Sequence, residues 1–150
     1  MRVIYAILFE MCNRTCLCKK CCDVIKMNFI YVAIVYLVLD MIWIQVMTPM
    51  LYKSIFQGIQ KSELKFSIKY ALAAYIVLLG VLYFVCRPLS RSTFYVKTPW
   101  LAYGLVGFAL YSVYNLTNAA VFTSYPLHMI LIDTIWGTTV FSILGILDGY

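Results

Sequence analysis

Two aspartates lie inside long apolar stretches of this 150-residue chain, and both stand in the pattern Asp-x-x-Trp. Asp40 precedes Trp43 by three residues, and Asp133 precedes Trp136 by three residues. An aspartate near the middle of an apolar membrane helix costs about 3 kcal/mol to insert. Two such costs indicate either a site for a proton, a cation or a cationic substrate group, or a polar lock between helices.

Apart from Lys69, at the very start of the second stretch, the apolar stretches contain no lysine or arginine that could neutralise these aspartates. Three states therefore remain open for the pair. The carboxyls are protonated, or they are held by Asn, Tyr and His donors, or they bind a cation.

Depth arithmetic places both carboxyls at nearly one level of a membrane. At a helical rise of about 1.5 Å per residue, Asp40 lies about 18 Å from the side that holds the N-terminus, and Asp133 lies about 10 Å from the opposite side. These depths nearly coincide in a hydrocarbon core of about 30 Å. Tyr70 begins the second apolar stretch in the same zone.

Helical spacing gives the first, third and fourth apolar stretches one face each that carries polar or aromatic groups toward this zone. The sequence predicts an intramembrane polar cluster of Asp40, Asn115, Thr117, Asn118 and Asp133. Residues predicted to support it are Tyr36, Trp43, Tyr111, His128 and Trp136. Gly104 and Gly107 have no side chains, so a neighbouring helix can approach the third stretch closely.

Each of these residues also has a purely structural interpretation. Asn115, Thr117 and Asn118 suit hydrogen bonds that join helices. His128 suits the level of the lipid headgroups, and the Trp and Tyr residues suit packing and the interfacial belt.

The composition favours an integral membrane protein, because 64% of the residues are hydrophobic and only 12% are charged. A soluble domain is about half apolar and about a quarter charged. The apolar stretches cover about residues 28–47, 67–86, 98–118 and 124–147, each near the roughly 20 residues that cross a bilayer. The predicted fold is all-α, a four-transmembrane-helix bundle with a short N-terminal extension.

Prolines and charges predict where these spans end. Pro49 is expected to end the first span, and the pair Arg87-Pro88 the second. Residues 48–66 fit either an interfacial amphipathic helix or a solvated loop. Residues 119–124 are short and uncharged, which predicts a tight antiparallel hairpin of the last two spans.

Positive charge predicts the orientation. Eight Lys and Arg residues lie on the side of the N-terminus and four on the other side, so both termini are expected in the cytoplasm. The basic side could contact anionic lipid or a protein partner. Nucleic acid is not an expected partner, because no basic helix stands apart from the spans.

Residues 1–27 form a basic, Cys-rich extension, and residues 28–150 form the predicted transmembrane domain. The pair Cys18-x-x-Cys21 has the spacing of zinc ligands, but a second such pair is missing. Cysteines beside basic residues also suit S-palmitoylation, and unmodified reduced thiols are the third interpretation. The candidates are Cys12, Cys16, Cys18, Cys21 and Cys22.

Common catalytic motifs are missing from the sequence. It contains no nucleotide-binding glycine loop, no HExxH and no GxSxG. We therefore expect a protein that is not an enzyme and that has no cofactor.

From residue 28 onward the chain resembles an uncharacterised family of small four-span membrane proteins found in bacteria and some large DNA viruses. The matching pieces are Leu39-Asp40 with Trp43, then Tyr52, and more loosely Tyr70, Gly80 and Pro88. The strongest stretch is 111–137, which contains Tyr-Asn-Leu-Thr-Asn at 114–118, Tyr-Pro at 125–126 and Asp-x-x-Trp-Gly at 133–137.

Two departures from the family pattern bear on function. The family usually has Tyr-Asp-x-Thr-Asn where Asn115 stands here, which removes an acid and argues against a proton relay. It usually has Trp-Pro where this chain has Tyr125-Pro126. The resemblance implies the four-span fold and the polar zone, and a viral member would suit a virion's inner membrane beneath the capsid.

Two functions follow as hypotheses. The first is a structural or scaffolding membrane protein whose polar cluster locks the helices. The second is a small-molecule or cation binding or transport protein that uses Asp40 and Asp133, and transport by four spans would need a homo-oligomer. An intramembrane enzyme acting on lipid is a third option.

Overall fold

The computed structural model describes residues 19–61 and 67–149, and all regular secondary structure in these ranges is helical. The all-α prediction is thus confirmed for this part of the chain. The predictions for Cys12, Cys16 and Cys18 lie outside the described residues, as does the part of the predicted amphipathic segment at 62–66.

The first helix, α1, spans Lys19–Met47 and continues without a break across the predicted boundary at residue 28. The expectation that Pro49 ends it is wrong. A π-helical segment, Thr48–Tyr52, follows directly and leads into α2, Lys53–Gln60. The amide N–H of Lys53 bonds to the carbonyl of Thr48, a wider turn that lets the helix pass a proline.

The second apolar stretch has the same construction. Helix α3, Ile68–Val81, passes through a π-helical segment, Leu82–Cys86, into α4, Arg87–Ser90. The predicted end at Arg87-Pro88 is therefore also wrong, because the Arg87 N–H bonds to the Leu82 carbonyl and the helix continues. No residue of α3 is buried, whereas four residues after Val81 are.

The last two helices, α5 (Pro99–Val121) and α6 (Leu127–Asp148), lie antiparallel along each other. Glycines permit the close approach. A Cβ at Gly104 would lie 2.4 Å from Ser142 Oγ, and one at Gly107 would lie 2.4 Å from the Gly137 carbonyl oxygen. The prediction that these two glycines serve a close helix contact is confirmed.

The main apolar core lies between α1, the segment after α3, α5 and α6. Its buried residues are Val32, Tyr36, Leu82, Cys86, Tyr103, Val140, Phe141 and Leu144. Outside it, many large apolar side chains are exposed on all the long helices. Lipid, rather than water, is the environment in which such a surface is stable.

Three helical stretches in the described part of the chain are long and apolar enough to cross a membrane. They are Phe29–Ile59, Ile68–Ser90 and Leu127–Asp148. The remaining long helix, α5, has 23 residues but is not among these three. It carries several Tyr, Ser, Thr, Asn and Gly residues, which make it less apolar than its neighbours.

Candidate functional site

Asp40 lies on α1, is only 6% exposed, and joins three helices. It accepts a hydrogen bond of 2.9 Å from the Tyr75 hydroxyl of α3. It also accepts a longer bond of 3.4 Å from the Tyr111 hydroxyl of α5. The partly buried indole of Trp136, on α6, lies beside the same carboxyl with its Nε1 out of solvent. Since α3 buries no residue of its own, the Tyr75 bond is a specific polar tie between α3 and the bundle.

Asp133 lies on α6 and is equally buried, with 6% exposure. It accepts a short hydrogen bond from the Tyr52 hydroxyl and a 3.4 Å bond from Asn115 Nδ2. Tyr52 in turn accepts a bond of 3.0 Å from Trp43 Nε1. The π-helical turn that passes Pro49 places Tyr52 over this carboxyl, so the backbone irregularity after α1 is part of the site.

Asn115 is completely buried and connects both sides of the cluster. Its Nδ2 donates to the Tyr111 carbonyl oxygen at 2.9 Å, and its Oδ1 accepts from the Tyr125 hydroxyl at 2.6 Å. Tyr125 lies in the connection between α5 and α6, where burial raises its pKa to about 12. It therefore remains a neutral hydrogen-bond donor at physiological pH.

The tryptophans of the two Asp-x-x-Trp motifs contact each other. The rings of Trp43 and Trp136 are stacked, with centroids 4.3 Å apart and planes inclined by 3°. This stack packs α1 against α6 at the level where their aspartates lie one turn away.

Both aspartates line one pocket of about 310 Å³. Its other walls are mostly aromatic, and no lysine or arginine belongs to its lining. The lining residues are Asp40, Trp43, Ile44, Tyr52, Phe56, Tyr111, Tyr114, Met129 and Asp133. The described residues contain no group of three or more His, Cys, Asp or Glu that could hold a metal ion.

The structure thus brings Asp40, Asn115 and Asp133 together, but it leaves other predicted members outside the pocket. Thr117 is exposed and its hydroxyl bonds to the Val113 carbonyl of its own helix. His128 is also exposed. Asn118 is half-buried near Tyr125 and does not line the pocket.

Two predicted tyrosines also lie outside the pocket. Tyr36 is completely buried in the apolar core, edge-on to Phe141. Tyr70, placed by depth in the polar zone, is 80% exposed and points away from the bundle. The depth of Tyr70 in the membrane could not show that it lies outside the polar cluster, because the rotation of a helix about its axis decides which side chains face inward.

Sequence reasoning missed several partners of the carboxyls. Tyr75 and Tyr125 were not singled out as donors, and Tyr52 entered only through the family resemblance. Tyr75 lies on an apolar helix without any polar neighbour in sequence, so no local signal marked it. Tyr52 and Phe56 lie one turn apart after Pro49, and that helical spacing was the available clue.

A second buried polar group lies at the C-terminal end of α6, and it too was missed. Arg87 and Asp148 form an ion pair with Nη2 2.9 Å from Oδ1 and Nε 3.2 Å from Oδ2. The Tyr103 hydroxyl donates to Asp148 at 2.8 Å. The guanidinium also lies over the rings of Phe29 and Tyr83.

Comparison with known proteins bears on the whole domain. A family model described as "Predicted membrane protein (DUF2177)" matches residues 25–149. No curated protein and no solved structure matches the chain.

Proposed function

Because the chain belongs to the DUF2177 family of predicted membrane proteins, we propose that it is a four-span protein whose centre binds a small cation or cationic molecule. The observation that carries this proposal is the pair of buried carboxyls that line one pocket without a lysine or arginine. The proposed role is binding or transport and involves no catalysis.

Electrostatics supports a cationic ligand. An ionised carboxyl in a low-dielectric interior is stable only when it is paired or fully hydrogen-bonded. Tyrosine and asparagine donors reach Asp40 and Asp133, but the bonds from Tyr111 and Asn115 are long, at 3.4 Å. A bound cation would supply the missing stabilisation to both carboxyls at once.

A structural or scaffolding role is the second candidate, and the hydrogen-bond pattern favours it. Asp40 accepts from donors on α3 and α5, and Asp133 accepts from the segment after α1 and from α5. Such bonds would lock the bundle whatever its environment, including a virion's inner membrane. The basic N-terminal side would then contact anionic lipid or a protein partner.

We also include α5 as the fourth span, with both termini in the cytoplasm. Its 23 residues exceed the roughly 20 that cross a bilayer. It packs along α6, which is itself long and apolar enough to span. Two of its polar residues face inward, because Tyr111 lines the pocket and Asn115 is completely buried.

The variants Asp40→Asn and Asp133→Asn test the proposal. An amide keeps one oxygen acceptor for the tyrosines, so we expect each variant to fold and to lose about 1 kcal/mol of stability or less. Wild-type protein in detergent should be stabilised by saturating cation, by about 2.7 kcal/mol at one hundred times the dissociation constant. Each variant should lose most of that stabilisation.

The measurement is thermal unfolding with sodium, calcium and benzylammonium chlorides at matched ionic strength. Thr139→Val is the control, because among the described residues this exposed α6 hydroxyl bonds only to its own helix, at the Ile135 carbonyl. If neither wild type nor control responds to any of these cations, the binding proposal is wrong. If the Asn variants unfold instead, the scaffolding role gains support.

A further inference from the structure

We infer that the ligand of the Asp40–Asp133 pocket is an organic ammonium ion with a compact apolar body, rather than a bare metal ion. This inference rests on the cation-binding function proposed above. It adds the chemical class of the ligand, and four properties of the pocket lead to it: its size, its donor set, its aromatic walls, and the presence of acidic and apolar groups in one lining.

The size of the pocket exceeds what an inorganic ion needs. Its volume is about 310 Å³, whereas a water molecule takes about 30 Å³ in the liquid. Small-molecule sites begin at about 300 Å³. A sodium or calcium ion would leave most of this space to be filled by water against apolar walls, but a small organic cation would fill it.

The donor set is too poor in oxygen for a hard metal ion. Calcium takes six to eight oxygen ligands and magnesium needs a near-octahedral shell of about six. The lining supplies oxygen ligands only from two carboxyls and three tyrosine hydroxyls. All four hydrogen bonds that the structure gives to the two carboxyls come from tyrosine hydroxyls or the Asn115 amide. The described residues also contain no metal-ligating group of three.

The walls suit an organic cation. Trp43, Tyr52, Phe56, Tyr111 and Tyr114 surround the carboxyls with aromatic rings. The faces of such rings attract an ammonium group by about 0.5–2 kcal/mol each when it is desolvated. A carboxyl additionally accepts N–H bonds, which favours an ammonium that still carries hydrogens.

The apolar and acidic groups are combined in one lining, so one molecule can use both. Ile44, Phe56 and Met129 offer contact to a hydrocarbon or aryl body, while Asp40 and Asp133 take the charged nitrogen. Phe56 is also packed edge-on against Tyr52 and Tyr125, which fixes this wall relative to the polar cluster.

The test compares benzylammonium with benzyl alcohol, its neutral analogue of similar size, and with sodium and calcium ions. Binding to the full-length protein in detergent is followed by thermal unfolding and by tryptophan fluorescence, since Trp43 and Trp136 stack at the site. We expect benzylammonium to bind at least about tenfold more tightly than benzyl alcohol, and Asp40→Asn and Asp133→Asn each to weaken it about tenfold or more.

A wall variant separates the aromatic contribution from the charge. Tyr114→Ala removes a pocket side chain that is 56% exposed and makes no hydrogen bond in the described residues, so the fold should survive. We expect it to weaken benzylammonium binding several-fold and to leave any sodium or calcium response unchanged. Thr139→Val serves again as the control with unaltered binding.

The possible outcomes distinguish the inferred organic ammonium ligand from the cation-binding function on which that inference rests. Stabilisation by sodium or calcium alone, lost in the Asn variants, would overturn the organic class and leave cation binding in place. Equal binding of benzyl alcohol and benzylammonium, or no response to any probe, would overturn both. Benzylammonium binding that survives both Asn substitutions would also contradict the assignment to this pocket.

Discussion

Replacing Asp148 with alanine is expected to lower the free energy of unfolding by about 3–5 kcal/mol. Arg87 is 4% exposed, and its Nε and Nη2 donate to this carboxylate. The substitution removes the carboxylate that this buried guanidinium pairs with, and it removes the acceptor of the Tyr103 hydroxyl. The rings of Phe29 and Tyr83 would offset only part of that loss.

Thermal unfolding in detergent measures this loss of stability. Two further variants serve as a control and as a rescue. Arg91→Met removes the same kind of charge four residues later, where the side chain is exposed, and should change stability by about 0.5 kcal/mol or less. The double variant Arg87→Met with Asp148→Leu should regain most of the stability, because an apolar pair needs no counter-charge. An Asp148→Ala protein as stable as wild type would show that the pair is not buried as described.

The second large effect is expected from Gly107→Ala. The added Cβ would lie 2.4 Å from the Gly137 carbonyl oxygen and 2.7 Å from Phe141 Cβ, so α5 and α6 must move apart. Overpacking of this kind costs about 1–3 kcal/mol. Because Asn115 and Asp133 lie on these two helices, their 3.4 Å bond should also be lost.

Gly80→Ala is the matched control, since it makes the same change on an apolar helix where a Cβ meets nothing within 4 Å. It should be neutral or stabilising by up to about 1 kcal/mol, as alanine has the higher helix propensity. Thermal unfolding in detergent measures the change in stability of each variant. Binding of benzylammonium reports whether the loss of the Asn115–Asp133 bond alters the pocket. Equal stability of both variants would contradict the close packing of α5 on α6.

Apolar length and turn residues predicted most of the helices, because long apolar stretches in lipid must satisfy their backbone internally. The same rules failed at Pro49 and Pro88. Proline normally ends a helix because it lacks a donor and clashes with the preceding turn. Here π-helical segments supply wider turns beside both prolines, and no feature of the sequence distinguishes that solution from a helix end.

The sequence predicted the two aspartates of the site but not the hydrogen-bond donors that reach them. Depth and helical spacing brought Asp40 and Asp133 to one level, since both depend only on rise per residue and position. Which of the 13 tyrosines reach them depends on helix rotation and tilt, which packing sets. Tyr75 therefore passed unnoticed while Tyr70 was singled out. The Arg87–Asp148 pair joins residues 61 positions apart and was equally invisible.

The account rests on Asp40 and Asp133 facing one shared pocket, and cross-linking of Trp43→Cys with Trp136→Cys tests this most directly. The variant would be made with the six native cysteines replaced by serine and treated in native membranes with a short bifunctional thiol reagent. Because the two rings stack at 4.3 Å, we expect efficient intramolecular cross-linking. The pair Ile42→Cys and Ile135→Cys, both exposed, should cross-link far less. Absence of a cross-link at the tryptophan positions, with efficient reaction at the exposed pair, would contradict the shared pocket.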